Sequence, residues 1–400
     1  MRINRLICVL SIVATGIFAS NYGGNISYAL FYMCFMIPII AFFYTVYVYF
    51  RFKIYQSMDN YLVVKGDWNT YSFVIANEDY ITFRNVKVNF LSDKSTIESA
   101  HETAEYSLLP SESERLDTRI KCNYRGEYHI GVDSIEVTDF LYLFSITYPI
   151  GTKLKAVVLP RIVPLQQLGI APPQTDVKNP FRFSNMAEEE LDSEVRKYNP
   201  GDSRKRIHWK ASARQHELIS RKYQYIPKAE IVLFMDLMKI KEEDLRVIIV
   251  EDKIIESILA IANYYALRGT PSEIIYEMNG KRRVRIASKD DFNAFYKACV
   301  TINFQGELPV SDLINERMLR RDEGMFYVAA THFLTKDFYL SSMKVVSNGN
   351  RMSVIFISDD ITENTKDMIN SMKMSGISVH QIMPEDEISS ILSRAVIDLA

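Results

Sequence analysis

The run IVLFMD, residues 231–236, decides the fold of the C-terminal half. Five consecutive apolar side chains ending on a carboxylate leave no polar face, so the segment reads as a strand buried on both sides, as in a parallel sheet. Downstream the period changes. Leu245, Ile248, Ile249, Ile255, Ile258, Ile261 and Tyr265 recur at helical spacing, and Gly269 supplies a stop. Residues 274–278 and 284–287 flank Asn279-Gly280, the arrangement expected of a hairpin. Residues 326–330, 354–358 and 379–383 supply further apolar strands with helical patterns between them. Alternating strands and helices predict a Rossmann-type doubly wound α/β domain over residues 226–400.

Upstream the material differs. Over residues 53–164 the period is two: Tyr71, Phe73 and Ile75 alternate with Ser72 and Val74, and Val86, Val88 and Phe90 with Lys87 and Asn89. Tyr128, Ile130 and Val132 alternate in the same way with His129 and Gly131. Broken by Gly66-Asp67, residues 77–79 and Arg125-Gly126, these runs predict a small antiparallel β-sandwich. Residues 165–225 form a linker and motif segment. Pro172-Pro173, Asn179-Pro180 and the acidic run Glu188-Glu189-Glu190 read as an extended linker or flap.

Residues 1–52 are a membrane signal. After Arg2 and Arg5, no Asp, Glu, Lys or Arg occurs until Arg51. Residues 26–50 are long enough to cross a hydrocarbon core, with Tyr44, Tyr47 and Tyr49 where interfacial aromatics belong. The shorter segment 6–20 reads as the first arm of a transmembrane helical hairpin turned at residues 21–25, in preference to a cleaved signal peptide. Arg2 and Arg5 on one side and Arg51 and Lys53 on the other place both ends in the cytoplasm by the positive-inside rule. The expected localisation is therefore the cell membrane, with the soluble domains cytoplasmic.

Composition narrows the function. A chain of 400 residues is too long for one core, and a formal charge of −2 gives no global field for nucleic acid. Cys8, Cys34, Cys122 and Cys299 lie far apart, against a zinc knuckle or a disulfide framework. The chain carries no GxSxG, Walker loop, GxGxxG or HExxH, so neither an enzyme nor a cofactor is expected.

The densest stretch is YNPGDSRKRIHWKASARQ, residues 198–215. Asn199-Pro200-Gly201-Asp202 is a turn, with proline and glycine at the positions that favour them and Asp202 capping a helical turn from Ser203. Ile207, Trp209, Ala211 and Ala213 form an apolar side; Arg204, Lys205, Arg206, Lys210 and Arg214 form a basic one. The favoured reading is a buried knot with Trp209 as its plug and Asp202 paired to Arg206 or Arg214; the rival is an exposed docking site. In the first case Trp209→Ala and Asp202→Ala destabilise the protein.

This stretch resembles the bacterial family known as domain of unknown function 58. The matching positions are Arg196, Tyr198, Gly201, Asp202, Arg206, Ile207, Trp209, Lys210, Ala213 and Arg214. Two upstream features agree: Arg125-Gly126-Glu127-Tyr128 followed by Asp139-Phe140 and Leu143-Phe144, and Pro160-Arg161 after a strand. Phe140-Leu141-Tyr142 stands where the family has Pro-Phe-Gly. The resemblance implies a von Willebrand factor type A-like C-terminal domain, in which Asp-x-Ser-x-Ser ordinarily holds a metal. Here Asp236 is followed by Met238 and Ile240 at the two hydroxyl positions, so the site is degenerate and no metal is expected. The resemblance also implies association with a MoxR-type AAA+ ATPase. The function expected is a membrane scaffold or adaptor with the lipid bilayer and that ATPase as partners, and no nucleic acid. The alternative is a membrane-bound hydrolase holding an anionic substrate on the basic cluster, with Ser203 or Ser212 and a histidine as candidate groups.

Overall fold

A computed structural model describes the chain apart from residues 99–102, 152, 171–186, 199–206, 228–230, 241–244, 321–323, 360 and 394–400. Two compact units result, Met1–Arg161 and Ile162–Ala400. Pro172-Pro173 and Asn179-Pro180 lie outside the described residues.

The first unit opens with α1 (Arg2–Tyr22) and α2 (Asn25–Arg51), both long and apolar enough to cross a membrane. Gly23 and Gly24 turn the chain between them at positive φ. Gly16 lets the Phe31 ring come within 3.4 Å of where a β-carbon would stand, so the two helices pack on each other. Pro38 sits inside α2 without ending it.

Eleven strands follow: β1 (Lys53–Met58), β2 (Leu62–Val64), β3 (Trp68–Ala76), β4 (Phe83–Phe90), β5 (Ser95–Ile97), β6 (Thr103–Leu108), β7 (Ser113–Cys122), β8 (Gly126–Ile130), β9 (Val132–Thr138), β10 (Ser145–Pro149) and β11 (Leu154–Leu159). They make sheets β1-β3-β7-β5 and β10-β9-β4-β6, with a smaller one, β2-β11-β8. Tyr71, Phe73 and Ile75 from β3 meet Val86, Val88 and Phe90 from β4 in one core that also takes in Val48 of α2.

Two expectations change here. The sandwich is not wholly antiparallel, because β2 runs parallel to β11. The alternation through residues 128–132 is broken, since β8 ends at Ile130 and β9 starts at Val132. Between them Gly131 takes φ +87, and a β-carbon there would meet Gln56 Oε1 at 2.4 Å and the Tyr71 hydroxyl at 3.0 Å. Only glycine admits that approach.

The second unit contains β12 (Ala187–Lys197), α3 (Trp209–Gln215) and β13 (Ile219–Pro227). β12 and β13 pair antiparallel, so the acidic run read as linker lies in a strand. Beyond them come β14 (Ile231–Met235), α4 (Leu245–Ala266), β15 (Ser272–Glu277), β16 (Lys281–Ile286), α5 (Lys289–Ala298), α6 (Val310–Met318), β17 (Phe326–Thr331), α7 (Lys336–Ser347), β18 (Arg351–Ile357), α8 (Glu363–Met374), β19 (Ser378–Ile382) and α9 (Ile388–Leu392). The sheet order is β16-β15-β14-β17-β18-β19, parallel except for β16.

The apolar run does what its composition implies. Ile231, Leu233 and Met235 pack with α4, α5 and α9 on one face. Val232 and Phe234 pack with α6, α7 and α8 on the other. Strand alternation thus feeds two cores, which is the definition of a doubly wound sheet.

Candidate functional site

Successive crossovers from β14 leave the sheet through α4 on one face, and those from β17 through α7 on the other. Adjacent strands whose connections depart in opposite directions open a crevice at their carboxyl ends, where ligands of open α/β sheets bind. Here β14 and β17 are those neighbours. A cleft of about 580 Å³ occupies the place, lined among others by Lys239, Arg246, His332, Phe333, Phe356 and Asp359. Arg246 and Asp359 face each other at 3.7 Å, both with solvent access, a weak pair.

Asp236, at the end of β14, is buried and lines a separate small cavity with Thr331 and Phe333. Its Oδ2 accepts the Thr331 hydroxyl at 2.6 Å and its Oδ1 accepts the backbone N–H of Met238 at 3.1 Å. His332 Nδ1 lies 3.4 Å from Oδ2. The carboxylate is thus held by the chain itself. A hard divalent ion seeks about six oxygen ligands, whereas Met238 and Ile240 offer none and Lys239 brings a positive charge to the cleft. These residues do not fit a magnesium-type centre. Among the described residues no group of three or more His, Cys, Asp or Glu stands ready for a metal.

Burial holds the His332 imidazole below its ordinary value, with Asp236 partly offsetting the effect. On β19, burial and then Lys373 push His380 from 6.5 down to about 4. A folded value below the unfolded one means that the unfolded chain takes up the proton more readily. The stability is therefore complete above the unfolded value and is lost as pH falls towards the folded one. For His380 the loss near pH 5 is about 2 kcal/mol. Denaturant titrations near pH 7 and near pH 5 should accordingly converge in His380→Leu, and an unchanged pH dependence would refute the assignment.

The motif segment is braced at a few points only. Ile207 is buried and bridges Ser220. The His208 N–H donates to the Ile219 carbonyl at 2.8 Å, and its Nδ1 accepts the Ala211 N–H at 3.3 Å, capping α3. Ser212 Oγ donates to the His208 carbonyl and accepts the Ile219 N–H at 2.9 Å. The Tyr198 N–H donates to the Leu218 carbonyl at 2.9 Å. His216 closes the helix in the left-handed region.

Trp209 is not a plug. It is 67% exposed, and Lys210, Ala213 and Arg214 are exposed with it. The helix starts at Trp209 with His208 as its cap, so of the apolar side Trp209 and Ala213 face outward, Ala211 is half-buried and Ile207 is buried. The expected loss of stability in Trp209→Ala is withdrawn, because no buried ring would be removed. Gly201, Asp202 and Arg206 lie outside the described residues, as does Ser203. The structure therefore brings Tyr198, Ile207, Trp209, Lys210, Ala213 and Arg214 together around one strand-and-helix junction. Ser212 and His208, candidates for nucleophile and base, are both engaged in capping that junction.

Sequence reading found Asp236 at a strand end but missed Thr331, His332, Phe333 and Arg246. No spacing marks those four residues. Thr331 ends the apolar run 326–330 as Asp236 ends 231–235, a positional signal that acquires meaning only from the strand order.

No family model and no curated protein matches the chain. Among solved structures it is similar to the VWA domain of SpRpn10, at 11% identity and a TM-score of 0.31, over 40% of this chain and 91% of that one. It is also similar to a CARDB domain from Pyrococcus furiosus, at 16% identity and a TM-score of 0.18, over 27% of this chain and 91% of that one. A GH20 exo-β-N-acetylglucosaminidase from Vibrio harveyi aligns over 83% of this chain and 81% of its own, at 7% identity and a TM-score of 0.19. The α/β assignment itself stands on the strand order and the two-sided core.

Proposed function

We propose that this protein is a membrane-anchored adaptor whose cytoplasmic portion, a β-sandwich and a von Willebrand factor type A-like α/β domain, binds a protein partner. The observation that supports this best is Trp209. Trp209 is exposed on the same short helix as Arg214, and tryptophan and arginine are residue types enriched at binding hot spots; the helix owes its position to Ile207, His208 and Ser212 instead. The matching surface is an apolar pocket rimmed by carboxylates. The cleft lined by Lys239, Arg246 and His332 offers a second point of contact, of a size to take one or more side chains. Basic flanks on both arms of the hairpin support a cytoplasmic face for these surfaces by the positive-inside rule, and the resemblance makes a MoxR-type AAA+ ATPase the candidate partner.

The test is association of the full chain, reconstituted in lipid nanodiscs, with that ATPase in the presence and absence of nucleotide. Saturable binding in at least one nucleotide state is expected. Absence of binding in both would overturn the partner assignment.

A further inference from the structure

We infer that the loop between β9 and β10, residues 139–144, is a membrane-interface element that seats the β-sandwich on the bilayer surface beside the hairpin. The inference rests on reading α1 and α2 as bilayer-crossing. Its first support is depth. Asn4 Nδ2 donates to the Leu141 carbonyl at 2.8 Å and Arg5 Nε to the Leu143 carbonyl at 2.6 Å, which ties the loop to the first turn of α1. Phe144 and Phe140 meet Phe42 and Tyr44 of α2 edge-on, with centroids 5.5 and 5.6 Å apart.

At roughly 1.5 Å per residue, the 21 residues of α1 span about the thickness of a hydrocarbon core, so its first turn falls at the bilayer surface. Tyr44 sits about 10 Å along α2 from Arg51. The neighbouring loop fills that interval. The Tyr44 hydroxyl donates to the Thr82 carbonyl and accepts the Arg84 N–H, while Arg51 forms a two-pronged pair with Asp79. Both loops therefore run along α2 through the zone where a bilayer's headgroups lie.

The second support is what the loops present there. Phe140, Leu141, Tyr142 and Ile81 are all exposed, and Tyr80 is 94% exposed. Aromatic and aliphatic side chains at this depth are the composition of an interfacial belt. The third support is backbone conformation. Tyr142 holds φ +56, the left-handed region that suits glycine, and its side chain is 43% exposed. The buried Asp139 carboxylate imposes that geometry by accepting the N–H groups of Leu141, Leu143 and Phe144. A half-exposed ring held in a costly conformation at this depth fits a contact made with lipid.

The experiment places tryptophan at Leu141 in the full chain, reconstituted in phosphatidylcholine vesicles. Tyr142→Trp serves as a second reporter, and Phe35→Trp, exposed on α2, as a depth control. Lipids brominated near the glycerol and near the chain end then act as quenchers, and wild-type emission from Trp68 and Trp209 is subtracted. Shallow bromines should remove roughly half of the added emission at Leu141→Trp or Tyr142→Trp, as expected of a side chain at the headgroup and acyl boundary. Deep bromines should act more strongly on Phe35→Trp. Quenching at Phe35→Trp without any at both loop positions would overturn the loop assignment and leave the hairpin standing. No quenching at any of the three would overturn the hairpin and the loop together. A loop emission shift that follows protein density in the vesicle, without bromine quenching, would assign the surface to a second copy of the chain and equally overturn it.

Discussion

Trp209→Ala is expected to leave thermal unfolding within about 1 °C of the parent protein while weakening association with the proposed ATPase partner by at least about 30-fold, or roughly 2 kcal/mol. The two halves of that expectation have separate origins. Stability is spared because the ring is 67% exposed, so truncation uncovers little apolar area, and alanine is the better helix former at an exposed position. The junction keeps Ile207 in its pocket, the His208 cap on Ala211 and the double engagement of Ser212. Binding suffers because an aromatic anchor in a partner's pocket is desolvated only in the complex. Lys210→Glu and Arg214→Glu should instead act mainly through a slower association rate and a changed salt dependence, as charges at an interface rim do. The measurement is calorimetric unfolding beside titration binding on the same preparations. A loss of several degrees in the melt, with binding unchanged per folded molecule, would return Trp209 to the role of structural plug.

How the sequence misled at this residue is instructive. A tryptophan two residues from Ile207 and from Ala211 implies burial by composition, but at this junction the buried positions are Ile207, just before the helix, and Ser212 within it. Nothing in the spacing says which residue wins. The strand at residues 187–197 was hidden for a related reason. Three consecutive glutamates carry low strand propensity, so composition alone concealed the strand that pairs with residues 219–227. The doubly wound sheet was legible because its strands are buried on both faces, so composition alone reports position. The cleft region was half legible. Asp236 announces itself at a strand end, whereas Thr331, His332 and Arg246 reach it through the order in which β14 and β17 pair, a fact about topology that no local window contains.

Arg317→Met is expected to cost the α/β unit about 3–5 kcal/mol, the largest single effect on stability anticipated here. Arg317 is 2% exposed, and its Nε donates to Glu273 Oε2 at 2.8 Å, joining α6 to β15. Removing the guanidinium strands a buried carboxylate, and that desolvation outweighs anything gained by a methionine of similar length. The companion Glu273→Leu removes a carboxylate partner from the buried cation and should also destabilise the unit. The double variant replaces the pair by apolar groups and should regain most of the loss, which gives a large coupling energy in the cycle. Hydrogen exchange at the β15 and β17 amides reads the change within this unit, with protection falling on the order of a thousandfold in Arg317→Met. The pair also bears on the cleft region. Pro309, Val310 and Ser311, at the start of α6, line a small cavity with Asp236 and Thr331, and Arg317 fixes the far end of that helix. If the double variant regains its protection yet binds its partner as weakly as the singles, the ion pair's contribution is to hold α6 in register for recognition. If stability and binding return together, it is a strut, and the cleft depends on it only through the fold.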